Sequence, residues 1–592
     1  MATPIDAAAG VAGLISLGVT AFQGCVQGFI ILSSAHHLGK DADDLRSRIE
    51  WEHYRLFEWS RHAGLEGEGY ANSALNWAGI LDILCQLQVQ LNDTTELKRR
   101  YGLCLEDEES QSISKHNLAD TTELSFLRKS LRLNPKFFLT SSRIIHERNK
   151  KHPMRRLRWA TIDKLKLEKL LGDVRQRIRC LWDILAFEDR LFIRESLSHL
   201  LRNGIASTRN DEELSCLSEL ALDVESKVSV AGQMKRTKLG LYPRHDAAPS
   251  TGKMSSSRAQ NLRALKVRSS LLSSDLGSSG EEREVVSYAG GHALVEFKFL
   301  GPDKVAQKKL SVRAENLAIL LNHVETTSLH TLQCKGLVKR NDYILLLFEL
   351  PASTVPVAIT TSSDRAYLAL SDVRLQQDCL PDLDTRLSWA LRLAETILQL
   401  HTAGWLHKSI SPAHIIFLKR QGQNALESSQ FAGPYLSGFG YAREISPSAF
   451  SEEQQNKDEE NAYRHALAQG SLKVPFRPQF DVYALGIVLI ELGLWSSIID
   501  ILQISHSQIP DVFMNPVTVS SVRRKLEFSL PRNFVDAALI ALTNSTTGEY
   551  KNRESHVEND EESDEDSDEE YRLEDDSIDV QQSIVNKIRK CL

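Results

Sequence analysis

Paired cysteines are missing from this chain. Its eight cysteines stand singly from Cys25 to Cys591 with no C-x-x-C, which argues against a zinc site or a disulfide framework and for a reducing, intracellular compartment. No basic side chain precedes Lys40, and no charge of either sign falls between Asp6 and Lys40, so the apolar N-terminus lacks the positive region of a secretory signal. Net charge is also small, -7 over 592 residues, although its distribution is uneven. What is present is ordinary for a soluble protein, with 42% hydrophobic and 25% charged residues. The length is too great for one core, and at about 100–200 residues per domain it predicts two to four units.

Texture divides the chain. Residues 1–228 carry helical periodicity, as in Ile80, Leu84, Leu87 and Leu91, then Leu167, Leu170, Leu171, Val174, Ile178, Leu181 and Leu185, and predict an all-α bundle. Residues 229–284 turn Ser-, Gly- and Arg-rich ("STGKMSSSRAQ", "SSLLSSDLGSSGEE") and predict a flexible linker. From 285 to 592, "HALVEFKFL" and "DYILLLFEL" read as strands, while "LDTRLSWALRLAETILQLH" and "FDVYALGIVLIELGLW" read as helices, predicting an α+β domain. Within it, Glu558–Glu570 contains only three non-acidic residues. That run marks a solvated, self-repelling insert over about 549–577.

The uncharged N-terminal segment places Val11, Leu14, Ile15, Phe22, Cys25, Val26, Phe29 and Ile30 at helical spacing. A helix of about 26 residues spans roughly 39 Å, long enough to cross a hydrocarbon core of about 30 Å. Gly24 and Gly28 form a G-x-x-x-G spacing that lets helices approach closely in lipid. Five glycines together with Gln23 and Gln27 weigh against a permanent span, so the expected resting state is a packed first helix of a bundle. Phe22, Gly24 and Gly28 are its candidate membrane and oligomer residues.

In the third part, a strand carrying Lys298 is followed by a helix with Glu315, a strand ending "LFELP", and the long helix to His401. Next come "HKS" at His407–Ser409, Gly438-Phe439-Gly440, and "DVYALG" from Asp481. Seven pieces in this order resemble a protein kinase domain, which implies a bilobal α+β fold. By this resemblance Lys298 matches the phosphate-binding lysine with Glu315 as its partner, and His407, Phe439, Gly440 and Asp481 match scaffold positions. The chemistry departs from the pattern. Phosphoryl transfer needs an Asp to orient the hydroxyl, plus an Asn and an Asp for the magnesium ions; these positions hold Ser409, His414 and Gly438. "YAGGHALVEFK" offers only Gly290 and Gly291 in place of a G-x-G-x-x-G. A serine hydroxyl is no base near neutral pH, and histidine is a poor ligand for magnesium. The expectation is a pseudokinase with no catalytic residue, no metal site and no required cofactor, leaving ATP binding without magnesium through Lys298 as an open option.

The N-terminal segment, "LGKDADDLRSRIEWEHYRLFEWSRHAGL" and "IDKLKLEKLLGDVRQRIRCLWDIL" together resemble the HeLo domain of fungal prion-inhibition and cell-death proteins, over about residues 5–225. The resemblance implies a bundle that oligomerises and enters membranes in heterokaryon incompatibility or related programmed cell death. Fusion to a kinase-like module is also similar to the mixed-lineage kinase-like pseudokinase of necroptosis. A C-terminal amyloid-forming repeat, the trigger of prion-type relatives, is absent. Between Arg128 and Arg158, eleven Lys or Arg face one acidic residue, Glu147. This charge suits anionic lipid at about 1 kcal/mol per basic residue near the surface, suits nucleic acid less because no nucleic-acid-binding motif accompanies it, and is equally that of a solvated loop. The leading reading is a fungal signalling protein, cytoplasmic at rest and at the plasma membrane on activation, whose partners are further copies of itself, anionic lipid and an upstream receptor-type protein. A divergent active protein kinase and a non-lytic scaffold with two binding domains stand beside it.

Overall fold

A computed structural model describes residues 4–33, 42–65, 75–92, 164–241, 252–268, 282–288, 291–323, 329–351, 367–375, 380–419, 431–445, 458–469, 474–505, 515–543 and 565–592, with Leu272, Ile509 and Phe513. The chain forms two compact units, one of Met1–Gly204 and Thr208–Glu225, the other of Ile205–Ser207 and Ser226–Leu592. The basic stretch between Arg128 and Arg158 lies outside the described residues.

The described part of the first unit is helical: α1 (Pro4–Ser33), α2 (Ala42–His62), α3 (Trp77–Asn92), α4 (Lys164–Asp183), α5 (Phe187–Ser207) and α6 (Asp211–Leu222). α1 packs on α3 and α2, while α2 also meets α4 and α6. The predicted stripes are the core, since Phe29, Ile80, Leu84, Leu87, Leu170, Val174, Ile178 and Leu181 are all buried. α2 also carries charge inward. The buried Glu52 carboxylate accepts from Arg55 at 3.0 Å and from Arg175 of α4 at 2.9 Å, and Arg175 continues to Asp223 at 3.2 Å. Burying that carboxylate is tolerable because two guanidinium groups meet it.

α1 has the length to cross a bilayer, at 30 residues. Among the described residues, however, no helix is both long and apolar enough to do so. Glycines and the polar Ser16, Thr20, Gln23 and Gln27 dilute its hydropathy.

The second unit begins with two helices that the sequence assigns to a linker, α7 (Ser226–Leu241) and α8 (Gly252–Leu265). The linker expectation over 229–284 is therefore corrected at these residues. Val228, Ala231, Met234 and Leu241 of α7 and Leu262 and Leu265 of α8 are buried, a sparse apolar stripe hidden by the Ser and Arg around it. Val267 continues onto the sheet edge, its N–H donating to the Leu337 carbonyl at 3.0 Å.

Four antiparallel strands follow in the order β1-β2-β4-β3: β1 (Arg283–Tyr288), β2 (Gly291–Phe299), β3 (Cys334–Arg340) and β4 (Tyr343–Glu349). α9 (Lys304–Asn322) packs on β3, with Asp303 capping its first turn through the Val305 and Ala306 N–H groups. Strand alternation puts Leu294, Glu296 and Lys298 on one face of β2 and Val295, Phe297 and Phe299 on the other. Further along are β5 (Tyr367–Ala369), α10 (Leu370–Leu375), α11 (Leu383–Thr402) and β6 (Trp405–Leu406), then β7 (Ile415–Lys419), β8 (Phe431–Leu436) and β9 (Arg443–Glu444). β5-β7-β8 form a three-stranded sheet and β6-β9 a two-stranded one.

Helices complete the unit: α12 (Asp458–Asn461), α13 (Pro478–Leu494), α14 (Ile498–Leu502), α15 (Pro516–Ser529), α16 (Arg532–Thr543) and α17 (Glu565–Arg589). α13 is buried along nearly its whole length and meets α11 and α16. α17 corrects the reading of residues 549–577 as one solvated insert. Residues 549–564 lie outside the described residues, but from Glu565 the backbone is helical. The helix is anchored by its later turns, where Ile578, Ile584, Val585 and Ile588 are buried, against α16 and α11.

Candidate functional site

The candidate site is built around the loop between β6 and β7. Asp481, in the first turn of α13, is 1% exposed. Its carboxylate accepts the His407 N–H and the Lys408 N–H, each at 2.8 Å. It also meets His401 Nε2 at 3.1 Å. One buried carboxylate thus fixes the loop, including Lys408 in the left-handed region at φ 71°, a conformation that costs a non-glycine residue about 1 kcal/mol or more. His401 Nδ1 in turn faces Gln581 Oε1 of α17 at 2.9 Å. The last helix of the chain therefore supports the loop from behind.

His407 is buried and turns inward. Its Nε2–H donates to the Ser437 carbonyl at 3.0 Å, and its Nδ1 accepts the Ser409 N–H at 3.3 Å. Its ring stands edge-on to Phe439 at 4.8 Å. Burial pushes its pKa down to about 4, so the ring is neutral near pH 7 and serves as a scaffold.

Ser409 and His414 are neighbours. His414 Nδ1 lies 2.6 Å from the Ser409 carbonyl, which only accepts, so this nitrogen carries the proton. The His414 ring then lies against Gly438. Gly438 has φ +79°, and a Cβ added there would run into that ring, with Cγ at 2.6 Å. The imidazole at 414 therefore fills the volume that a side chain at 438 would need. No cluster of His, Cys, Asp and Glu suited to a metal ion occurs among the described residues.

The inward face of the four-stranded sheet closes on these residues. Glu296, unremarked in the sequence, reaches the backbone N–H groups of Gly438 at 2.8 Å and Phe439 at 3.2 Å, one with each carboxylate oxygen. Its cross-strand partner Arg283 donates to Ser437 Oγ at 2.5 Å and to the Ala413 carbonyl at 2.6 Å. Lys298 is 7% exposed, with its amine 4.4 Å from the centre of the Tyr441 ring. It lines a shallow recess together with Leu310, Arg313, Leu317, Phe439 and Gly440.

Glu315, the expected partner of Lys298, is turned elsewhere. Its carboxylate accepts from Arg258 of α8 at 3.0 Å, and the same arginine reaches Asn316 Oδ1 at 3.0 Å. The α9 residue that lines the recess with Lys298 is Arg313, whose Nη2 donates to the Gly440 carbonyl at 3.4 Å. Two residues along a helix is about 200° of turn, so 313 and 315 cannot share a face. The period-2 alternation of β2 was a usable signal for Glu296. Nothing local identified Arg283 or Gln581, which join the site only through strand pairing and the return of α17.

The N-terminal candidates are packed within the first unit. Phe22 is 8% exposed. Gly24 and Gly28 face α3, where a Cβ on Gly28 would come 2.5 Å from Leu91 Cβ and one on Gly24 would strike the Gln88 side chain, with Cδ at 2.5 Å. The Gly24 carbonyl accepts from Asn92 Nδ2 at 2.8 Å. Close approach at these glycines thus serves the resting bundle itself.

No curated protein matches this chain. Residues 8–217 do match a family model, HeLo, described as prion-inhibition and propagation.

Proposed function

We propose that the protein is a signalling effector of the fungal cell-death and incompatibility type, in which the HeLo domain acts on membranes and the second unit is a kinase-like regulator that has given up phosphoryl transfer. The family match supports the cell-death and incompatibility part of this reading. The single observation that carries the regulator part is the packing of His414 against Gly438. Transfer depends on carboxylates that hold metal ions and orient the attacking hydroxyl, and here an imidazole takes their space. The regulator binds and positions; it does not catalyse. Activation brings copies of the chain together on anionic lipid at the plasma membrane, under an upstream receptor-type partner.

Incubation of the full chain with labelled ATP and magnesium or manganese tests the catalytic half. Incorporation equal to that of Lys298→Ala is expected. Gly438→Asp is expected to add no transfer and to lower stability, because the new side chain meets His414 in a left-handed backbone; overpacking and strain of this kind cost about 1–3 kcal/mol each. Phosphate incorporation that depends on Lys298 would establish the divergent active kinase instead.

A further inference from the structure

We propose that Glu296 is a built-in ligand of the cleft. Its carboxylate takes the paired N–H groups of Gly438 and Phe439 that an anionic oxygen of a phosphate-bearing molecule would need, and so excludes such molecules. The identity of the excluded ligand rests on the kinase-like reading; the contact itself does not.

Glu296 is 7% exposed. A carboxylate this buried is stable only where donors meet it, and each of its oxygens receives one backbone N–H, at 2.8 Å and 3.2 Å. Hydrogen bonds to an ionised acceptor are roughly twice as strong as neutral ones. The grip is reinforced from the adjacent strand, because Arg283 is paired with Glu296 across β1 and β2 and holds Ser437 and the Ala413 carbonyl. One cross-strand pair thereby ties down residue 413 and residues 437–439. Lys298, two residues along on the same face, lies against the Tyr441 ring. The amide pair and the lysine, the groups a phosphate would seek, are both engaged by the protein's own side chains.

The test is amide hydrogen exchange in residues 431–445 of the full chain, for wild type, Glu296→Gln and Glu296→Ala, with and without ATP in the absence of magnesium. Exchange at Gly438 and Phe439 is expected to rise at least tenfold in Glu296→Ala and by less in Glu296→Gln, which keeps one acceptor oxygen and its shape. ATP is expected to restore protection in the variants and to leave wild type unchanged. Unaltered exchange in both variants would overturn the latch. Faster exchange without any protection by ATP would keep the latch but overturn its role in excluding a nucleotide, and with it the kinase-like reading of the cleft. Protection of wild type by ATP would overturn the exclusion alone. Should Glu296→Ala fail to fold, Glu296→Gln decides the same outcomes.

Discussion

Leucine at Gly28 is expected to destabilise the helical unit by several kcal/mol, with leucine at Gly24 adding a smaller loss. The two glycines look alike in sequence, but their neighbours differ. A Cβ at 28 meets the Cβ of Leu91, an atom that moves only with the α3 backbone, so α1 and α3 must separate. A Cβ at 24 meets the amide end of Gln88, a flexible side chain that can rotate away. Inserting bulk into a packed interface costs about 1–3 kcal/mol before any backbone shift is counted. Separation would also expose Cys25 and Phe29, both 0% exposed, and loosen the Cys25 contact with the Leu84 carbonyl at 3.3 Å. Urea unfolding of the two single variants, followed by circular dichroism, is expected to show the larger loss for Gly28→Leu. Equal stability of both variants and wild type would mean that α1 does not pack on α3 as described. A G-x-x-x-G variant that loses activity therefore reports on folding before it reports on lipid.

Acid is expected to weaken the second unit well above the carboxylate range. His407 and His465 are both buried, and burial pushes each pKa from its ordinary 6.5 to about 4. The folded unit keeps these rings neutral while the unfolded chain protonates them. Stability is then full above about pH 6.5 and falls as pH drops toward 4, by up to about 1.4 kcal/mol per pH unit for each ring. Glu491 acts in the opposite sense, because burial raises its carboxyl and the folded unit takes up a proton there. The histidine part is isolated by comparing wild type with His407→Gln between pH 7 and pH 5. The variant is expected to show a shallower loss by about one proton, and identical slopes would contradict a buried neutral His407.

Much of the helical core was legible because it repeats. The stripes at 80–91 and 167–185 needed only a period of 3.6 residues, and the structure buries them. α7 and α8 were not legible, because an apolar residue every third or fourth position among serines and arginines has the composition of a linker. The acidic run misled in a similar way: its charge describes residues 558–570 but not the helix that begins within it and is held by Ile578 and Ile584. At the site, Asp481, His407 and Gly438 were visible as motif positions. Glu315 was matched to Lys298 through the resemblance alone, and its direction on α9 is set by a tertiary partner, Arg258. Glu296 and Arg283 tie the sheet to residues 413 and 437–439, yet their roles come from strand register, which sequence fixes only after the pairing is known.

Liposome leakage tests the central claim most directly. Leu17 of α1 is 57% exposed, so Leu17→Asp should spare the bundle while placing a charge on the helix proposed to enter lipid, at a cost of about 2.5–3.5 kcal/mol near the bilayer centre. Residues 1–225 hold a buried core of their own and can be assayed on vesicles of phosphatidylserine and phosphatidylcholine. The account predicts concentration-dependent dye release by residues 1–225 and its loss in Leu17→Asp at unchanged helicity. Folded protein that leaves the dye inside, or a Leu17→Asp variant that releases it as fast as wild type, would contradict the membrane-effector reading and favour a non-lytic scaffold.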